Sequence, residues 1–197
     1  MIKAILFDFG GVLAEEGFRE GLKAIASRNG LDPERFFSLA DTLIDETGYL
    51  TGNAGEAAYW KALRTRAGIA GSDKELREEI LKRFVLRKDM VAVVDGLRKK
   101  GFLVALLSDQ TNWLDELDRE TGLSGHFDRV FNSFCLRKSK RDASVFRDVC
   151  RALGVSAGET LFIDDNIHHI RRAESEGMQT IHFTGKKTFE EQIANVT

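Results

Sequence analysis

Proline and cysteine are scarce in this chain: Pro33 is the sole proline, and Cys135 and Cys150 are the two cysteines among 197 residues. Two cysteines build no disulfide scaffold, and reduced thiols in a cytoplasmic protein are the expectation. Long apolar runs are missing as well. The stretch 102–107 is among the longest, far short of the roughly 20 residues that cross a bilayer. The N-terminus has no basic stretch leading into a long apolar one, so no secretion signal is expected. Nor does charge of one sign dominate. Lysine and arginine total 29 against 31 acidic residues, a formal net charge of −2, with no concentrated basic stripe. Neither nucleic acid nor a membrane is an expected partner. No repeat or low-complexity segment is evident. What is present, 43% hydrophobic and 30% charged residues, describes an ordinary globular protein of one domain, or a domain with an insert.

The stretch that organises the rest is 2–13, IKAILFDFGGVL. Ile2, Ala4, Ile5, Leu6 and Phe7 form a short apolar run, long enough for a buried strand and too short for most helices. A strand buried on both faces belongs in a parallel α/β sheet, and such sheets bind ligands beyond the strands' carboxyl ends. Asp8 stands at that edge. Gly10 and Gly11 after it allow bare backbone N–H groups to approach an anion. Such an acid serves as nucleophile, metal ligand or turn residue.

From 15 to 87 the pattern turns helical. Leu22, Ile25 and Ala26 share one face; Asp32 and Pro33 open a second helix through Phe36, Phe37, Leu43 and Ile44. A loop over 48–53 precedes a helix bearing Trp60 and Leu63, and Ser72-Asp73 caps a fourth running through Phe84. Past Arg87, helices and strands alternate. Helices are expected over 90–100, 112–121, 142–153 and up to 176, and strands over 102–107, 129–132, 160–163 and 179–183. The expected fold is α/β: a doubly wound, Rossmann-like parallel sheet (1–14 and 88–197) with a helical-bundle cap (15–87) inserted after the first strand.

Three of these strands end in polar groups: Asp8, Ser108 and the pair Asp164-Asp165. In a parallel sheet those ends converge on one edge, and a loop supplies Lys140. Carboxylates crowded there repel one another without a cation. Mg²⁺ suits the donor set, since it takes one or two carboxylates, waters and a substrate phosphate. Ser108 and Lys140 are suited to phosphate oxygens, leaving Asp8 to attack phosphorus. Bland readings stand beside each of these: a turn at Asp8, a helix cap at Ser108 and at Asp164-Asp165, a solvated basic surface around Lys140. His168 and His169 are expected on a helix that runs away from the site, in surface or packing roles. Trp60, Phe36 and Phe37 read as cap core, while Phe18 and the 49–53 loop are candidates to face the site. Cys135 is expected near it without a partner base.

The chain resembles the phosphatase branch of the haloacid dehalogenase superfamily over nearly its whole length. The matching pieces are Phe7-Asp8-Phe9-Gly10-Gly11-Val12-Leu13, then Leu107-Ser108-Asp109, then Lys140, then Phe162-Ile163-Asp164-Asp165-Asn166. Small sugar-phosphate (glucose-1-phosphate-type) phosphatases are the nearest likeness. The resemblance implies Asp8 as nucleophile, with Ser108 and Lys140 as its catalytic partners. It implies Gly10, Gly11, Ser108, Asp109 and Lys140 around the phosphate, and Asp8, the Gly10 carbonyl, Asp164 and Asp165 around Mg²⁺. The expected partner is a small phosphorylated metabolite, and the expected assembly a monomer or homodimer. Dehalogenases of the superfamily lack the adjacent acidic pair, which argues against their chemistry.

Two departures matter. The commonest first motif of the branch is Asp-x-Asp, whose second acid protonates the leaving group; Gly10 stands there, forfeiting a contribution of roughly 10²–10⁴-fold. A substrate with a comparatively acidic leaving group, such as a sugar 1-phosphate or an acyl phosphate, has less need of that acid. The remaining proton sources are water, the substrate, or the cap residues Glu15 and Glu16. Otherwise turnover is very slow and the protein is a phosphate- or metabolite-binding member. In the third motif Arg141 follows Lys140 where the family often has proline, and Lys138 is the competing lysine. A phosphorylated-Asp signalling receiver shares the sheet and the acid–magnesium–lysine logic but has no use for a helical cap.

Overall fold

The computed structural model describes residues 1–194 and 196. The apolar runs become five short strands: β1 (Ala4–Phe7), β2 (Leu103–Ser108), β3 (Arg129–Asn132), β4 (Thr160–Asp164) and β5 (Gln179–His182). All pair in parallel, in the order β3-β2-β1-β4-β5. Winding runs outward from β1 through β2 to β3, then crosses back to β4 and β5. The reversal between β1 and β4 opens a crevice at their carboxyl ends.

Alternation along the strands splits the core in two. Ile5, Phe7, Val104, Leu106, Leu161 and Ile163 face one side. They pack against α5 (Lys88–Lys99), α6 (Trp113–Thr121) and α10 (Lys186–Ile193), with Phe7 meeting Phe189 of α10 at 6.2 Å between ring centres. Leu6, Ala105, Leu107 and Phe162 face the other side, covered by α8 (Ser144–Leu153) and α9 (Ile167–Ser175). There Phe146 meets Phe162 edge-on at 5.2 Å. Each buried valine, leucine, isoleucine or phenylalanine among them stabilises the fold by about 1.5–3 kcal/mol.

Between β1 and α5 lie α1 (Gly17–Arg28), α2 (Pro33–Glu46), α3 (Glu56–Ala67) and α4 (Asp73–Leu81). Their starts follow from local chemistry. The Asp32 carboxylate accepts the Arg35 N–H at 2.8 Å ahead of Pro33, and Ser72 and Glu75 cap α4 reciprocally. The chain leaves and re-enters through one short backbone pairing: Glu15 N–H donates to Val85 O, and Arg87 N–H to Leu13 O, at 2.9 and 2.8 Å. The bundle is docked on the sheet domain by an aromatic stack, Trp60 on Trp113 at 5.8 Å. Tyr49 Oη adds a 2.7 Å hydrogen bond to Asn112 Oδ1.

Several expected boundaries shift. β1 starts at Ala4 rather than Ile2, and α4 stops at Leu81, leaving Phe84 to pack in the return loop against Phe9 at 5.3 Å. The helix expected from 142 begins at Ser144, because the Asp142 carboxylate accepts both the N–H and the hydroxyl of Ser144. A one-turn helix α7 (Ser133–Leu136) and the C-terminal α10 lie outside the elements the sequence pattern predicts. The apolar signal of α10 amounts to two buried residues, Phe189 and Ile193, too few to read as periodicity.

Candidate active site

Each acid of the crevice is delivered by a strand end. Phe7 is in register with Ile163 of β4, and Asp8 N–H donates to Ile163 O at 2.9 Å, which sets Asp8 beside Asp164. Ser108 closes β2 and is buried. The turn after β4 carries Asp165, whose carbonyl lies 2.9 Å from Nε2 of His182 at the end of β5. One oxygen from each of Asp8, Asp164 and Asp165 falls within 4.8 Å of the others.

Lys140 lies at the centre of this group. Its side chain is 1% exposed, and its ammonium donates to Asp8 Oδ1 at 2.7 Å and to Asp164 Oδ2 at 2.6 Å. Its backbone N–H donates to both carboxylate oxygens of Asp109, at 2.9 and 3.1 Å. The Asp109 side chain therefore braces the lysine loop, and only its backbone remains for an anion. Lys138 turns the other way, to Ser144 and Asp148 of α8. Of the two competing lysines, Lys140 is the one in the crevice.

The ionisation of these groups follows from burial and crowding. Burial would favour a neutral Lys140, but Asp164, Asp8 and Asp109 outweigh it and hold the ammonium above the ordinary lysine range. Burial opposes ionising Asp164 too, yet Lys140 and His169 bring it down to about 2. Asp8 is pushed well up by burial and, against the pull of Lys140, by the charges of Asp164 and Asp165. Asp165 is raised by burial and by Asp164. One ammonium does not balance three carboxylates, and the all-oxygen donor set fits a hard divalent cation.

The two glycines of the first motif differ. Gly11 has φ +78°, and a Cβ on it would lie 2.1 Å from Asp165 Oδ2, so a side chain there would strain the backbone and displace the Asp165 carboxylate. Gly10 has neither constraint. Both border the group of acids, and Gly10 lines a cavity of about 940 Å³ over the sheet edge. Its far wall comes from the bundle: Phe18, Phe37, Ile44 and Leu50, with Arg19 stacked over Phe37 at 4.1 Å.

Sequence reasoning misjudged some residues here. His169 lines the cavity with Nδ1 3.1 Å from Asp164 Oδ2, whereas His168, also bordering the cavity, is exposed, in the surface role expected of it. The helix that carries them begins at Ile167, so its first turn still touches the sheet edge. Cys135 is exposed and borders a separate depression with Leu106 and Leu114, away from the acids. Phe37 is cavity wall as well as cap packing. Glu16, Gln110, Trp113 and Arg172 also line the cavity; the sequence offered a signal only for Glu16, through its nearness to the first motif.

Comparison with known proteins agrees with this architecture. The haloacid dehalogenase-like hydrolase family model matches residues 2–177. The chain is 33% identical over 86 residues to the GMP/IMP nucleotidase YrfG of Escherichia coli, covering 43% of this chain and 38% of that protein. It is 29% identical over 105 residues to the sesquiterpene phosphatase astK of Aspergillus oryzae, covering 50% and 52%. The match thus spans about half or less of these relatives' length. Among solved structures, a HAD family enzyme of Bacteroides thetaiotaomicron, in complex with magnesium and inorganic phosphate, superposes with a TM-score of 0.74 over 94% of this chain and 95% of that one. At 24% identity, that likeness speaks for the fold alone. No helix among the described residues is long and apolar enough to cross a membrane. With a family match over most of its length, laid on a parallel sheet that gathers its acids at one edge, the chain belongs to the haloacid dehalogenase-like hydrolases.

Proposed function

We propose that this hydrolase is a magnesium-dependent phosphatase of small phosphorylated metabolites, of sugar-phosphate kind, working through an aspartyl-phosphate on Asp8. The observation that carries this reading is the convergence of Asp8, Asp164 and Asp165 within 4.8 Å around the Lys140 ammonium. The nucleotidase and phosphatase relatives support it, as does the magnesium and phosphate bound by the Bacteroides enzyme.

Asp8, Asp165 and the Gly10 carbonyl would hold the ion, with Asp164 beside them. The Asp164 carboxylate already accepts from Lys140, His169 and the Asn166 N–H, so Asp165 has more coordination capacity left. Mg²⁺ bound there supplies neutralising charge and orients phosphoryl oxygens. Lys140 and the Ser108 hydroxyl hold the phosphoryl group, and the Gly11 backbone gives it room. Asp8 Oδ attacks phosphorus as the ester oxygen leaves; water then cleaves the acyl phosphate. The organic part of the substrate faces the aromatic wall and Arg19.

A second reading, a phosphate-binding protein without useful turnover, draws on one observation, the missing carboxyl at Gly10. Phosphate release from sugar phosphates, acyl phosphates and p-nitrophenyl phosphate, with and without Mg²⁺, separates the two. Metal-dependent release abolished in Asp8→Asn supports the phosphatase. Binding of Mg²⁺ and phosphate with no release from any ester supports the alternative.

A further inference from the structure

Residue 10 has no backbone or steric reason to be glycine. Its φ lies outside the left-handed region. A Cβ there would meet Phe84 Cε1 at 3.5 Å and the carboxylate oxygens of Glu16 at 3.7 and 3.9 Å, all ordinary contact distances. The space a side chain at position 10 would enter is bordered by the end of another acid.

Glu16 occupies the N-cap position of α1, yet it is a poor cap. Ser, Thr, Asp and Asn are preferred there, because a short side chain folds back onto the N–H groups of the first turn. Glu16 Oε1 accepts the Arg19 N–H at a long 3.4 Å. The Arg19 guanidinium turns away, toward Glu34 and the Phe37 ring. The extra methylene brings the Glu16 carboxyl into the cavity that Asp8, Ser108, Lys140 and Asp165 also line. Glu15, the other acid nearby in sequence, is committed elsewhere: both its oxygens accept from Arg87 at 3.0 Å, and it does not line the cavity. The four-helix bundle brings two carboxyls to the cavity: Asp41 is paired with Arg141 at 2.8 Å, and Glu16 is the one beside the position that lacks an acid.

We infer that Glu16 is the general acid for the leaving group, taking over from the bundle the task that a second aspartate at position 10 would perform. The inference rests on the phosphatase reading above. In the first half-reaction the bond from Asp8 Oδ to phosphorus forms and the phosphorus–ester oxygen bond breaks. The Glu16 proton passes to that oxygen, releasing a neutral alcohol. In the second half-reaction water attacks phosphorus and the Asp8–phosphorus bond breaks. The water's proton goes to the Glu16 carboxylate, so phosphate is released and both side chains return to their starting states.

Leaving-group dependence tests this. A primary alkyl phosphate needs its departing oxygen protonated, whereas p-nitrophenyl phosphate hardly does. In Glu16→Gln, whose amide oxygen still caps α1, kcat/KM for the alkyl ester should fall about 10²-fold further than for the aryl ester. The double variant Gly10→Asp/Glu16→Gln should regain at least about tenfold of that lost ratio. Losses of equal size on both esters, or no loss, overturn the inference, as does a wild-type protein that cleaves the aryl ester alone. Release that persists in Asp8→Asn, or is absent from wild type on both esters, overturns the phosphatase reading and this inference with it. Thermal unfolding of each variant separates misfolding from chemistry.

Discussion

The same strands that end in the active-site acids begin in ordinary ion pairs, and the two ends of the sheet handle charge differently. At the amino edge Glu159, just before β4, pairs with Lys3 and accepts the N–H and hydroxyl of Ser156, which brings its carboxyl to about 2. Asp128, just before β3, is partly buried, yet accepting the Val104 N–H and the Arg98 guanidinium keeps its carboxyl below the usual range. Each acid there has its own cation and its own donors. At the carboxyl edge three acids crowd together, with Asp8 and Asp164 on one buried ammonium, and Asp8 and Asp165 are pushed up instead of down. Evolved stability favours the first arrangement, since charges removed from water without full pairing are costly. The second is tolerated where charge must be concentrated for a ligand.

Breaking the contrast at its centre should have the largest effect. Asp8→Asn is expected to lower phosphate release by roughly 10³-fold or more, as loss of a nucleophile does. The same substitution removes one of three crowded carboxylates, so the metal-free protein should melt a few °C higher than wild type in calorimetry. A lower melting temperature would mean that the Asp8–Lys140 pair outweighs the repulsion. Lys140→Ala does the reverse, leaving the acids with no cation. It should cost about 3–5 kcal/mol in denaturant unfolding without metal, with part of the loss recovered when Mg²⁺ is added.

At the amino edge the effects should be smaller and without kinetic consequence. Asp128→Ala removes the acceptor for Val104 N–H and Arg98 and should cost about 1.5 kcal/mol, with phosphate release unchanged. Glu159→Gln should cost least, and its cost should depend on pH. The Glu159 carboxyl is depressed in the folded state, from 4.5 to about 2, so its contribution is present in full above about pH 4.5 and is lost as pH falls toward 2. The melting temperatures of wild type and Glu159→Gln should therefore converge over that window. A gap that stays constant down to pH 2 would show that the ion pair with Lys3 contributes nothing.

The acids of the carboxyl edge were legible because the apolar runs of β1, β2 and β4 break abruptly into Asp8, Ser108 and Asp164. In a parallel sheet, that pattern alone fixes which end faces ligand. Lys140 was legible from its place in the third motif, with Lys138 as competitor in the same charged loop; the packing of α8, which takes Lys138 to Ser144 and Asp148, separates them. The carboxylate of Asp109 reads in sequence like part of a phosphate site; its pairing with the Lys140 backbone depends on two loops meeting. His169 was misplaced because a helix direction inferred from sequence says nothing about how close its first turn stays to the strand it follows. Arg141, which replaces the expected proline, reaches Asp41 and Asp45 of α2, a link no local pattern announces.

By itself, then, the sequence determined the strands, their polarity and the acids at their ends, because burial on both faces and an abrupt polar stop are local properties. The tertiary structure alone decided which charges share one ammonium and which have partners of their own. It also decided that Glu16, and not Glu15, reaches the gap at Gly10. Those outcomes depend on how the four-helix bundle sits over the sheet, through Trp60 on Trp113 and Tyr49 on Asn112. Contacts between segments distant along the chain leave no periodicity in the sequence to read.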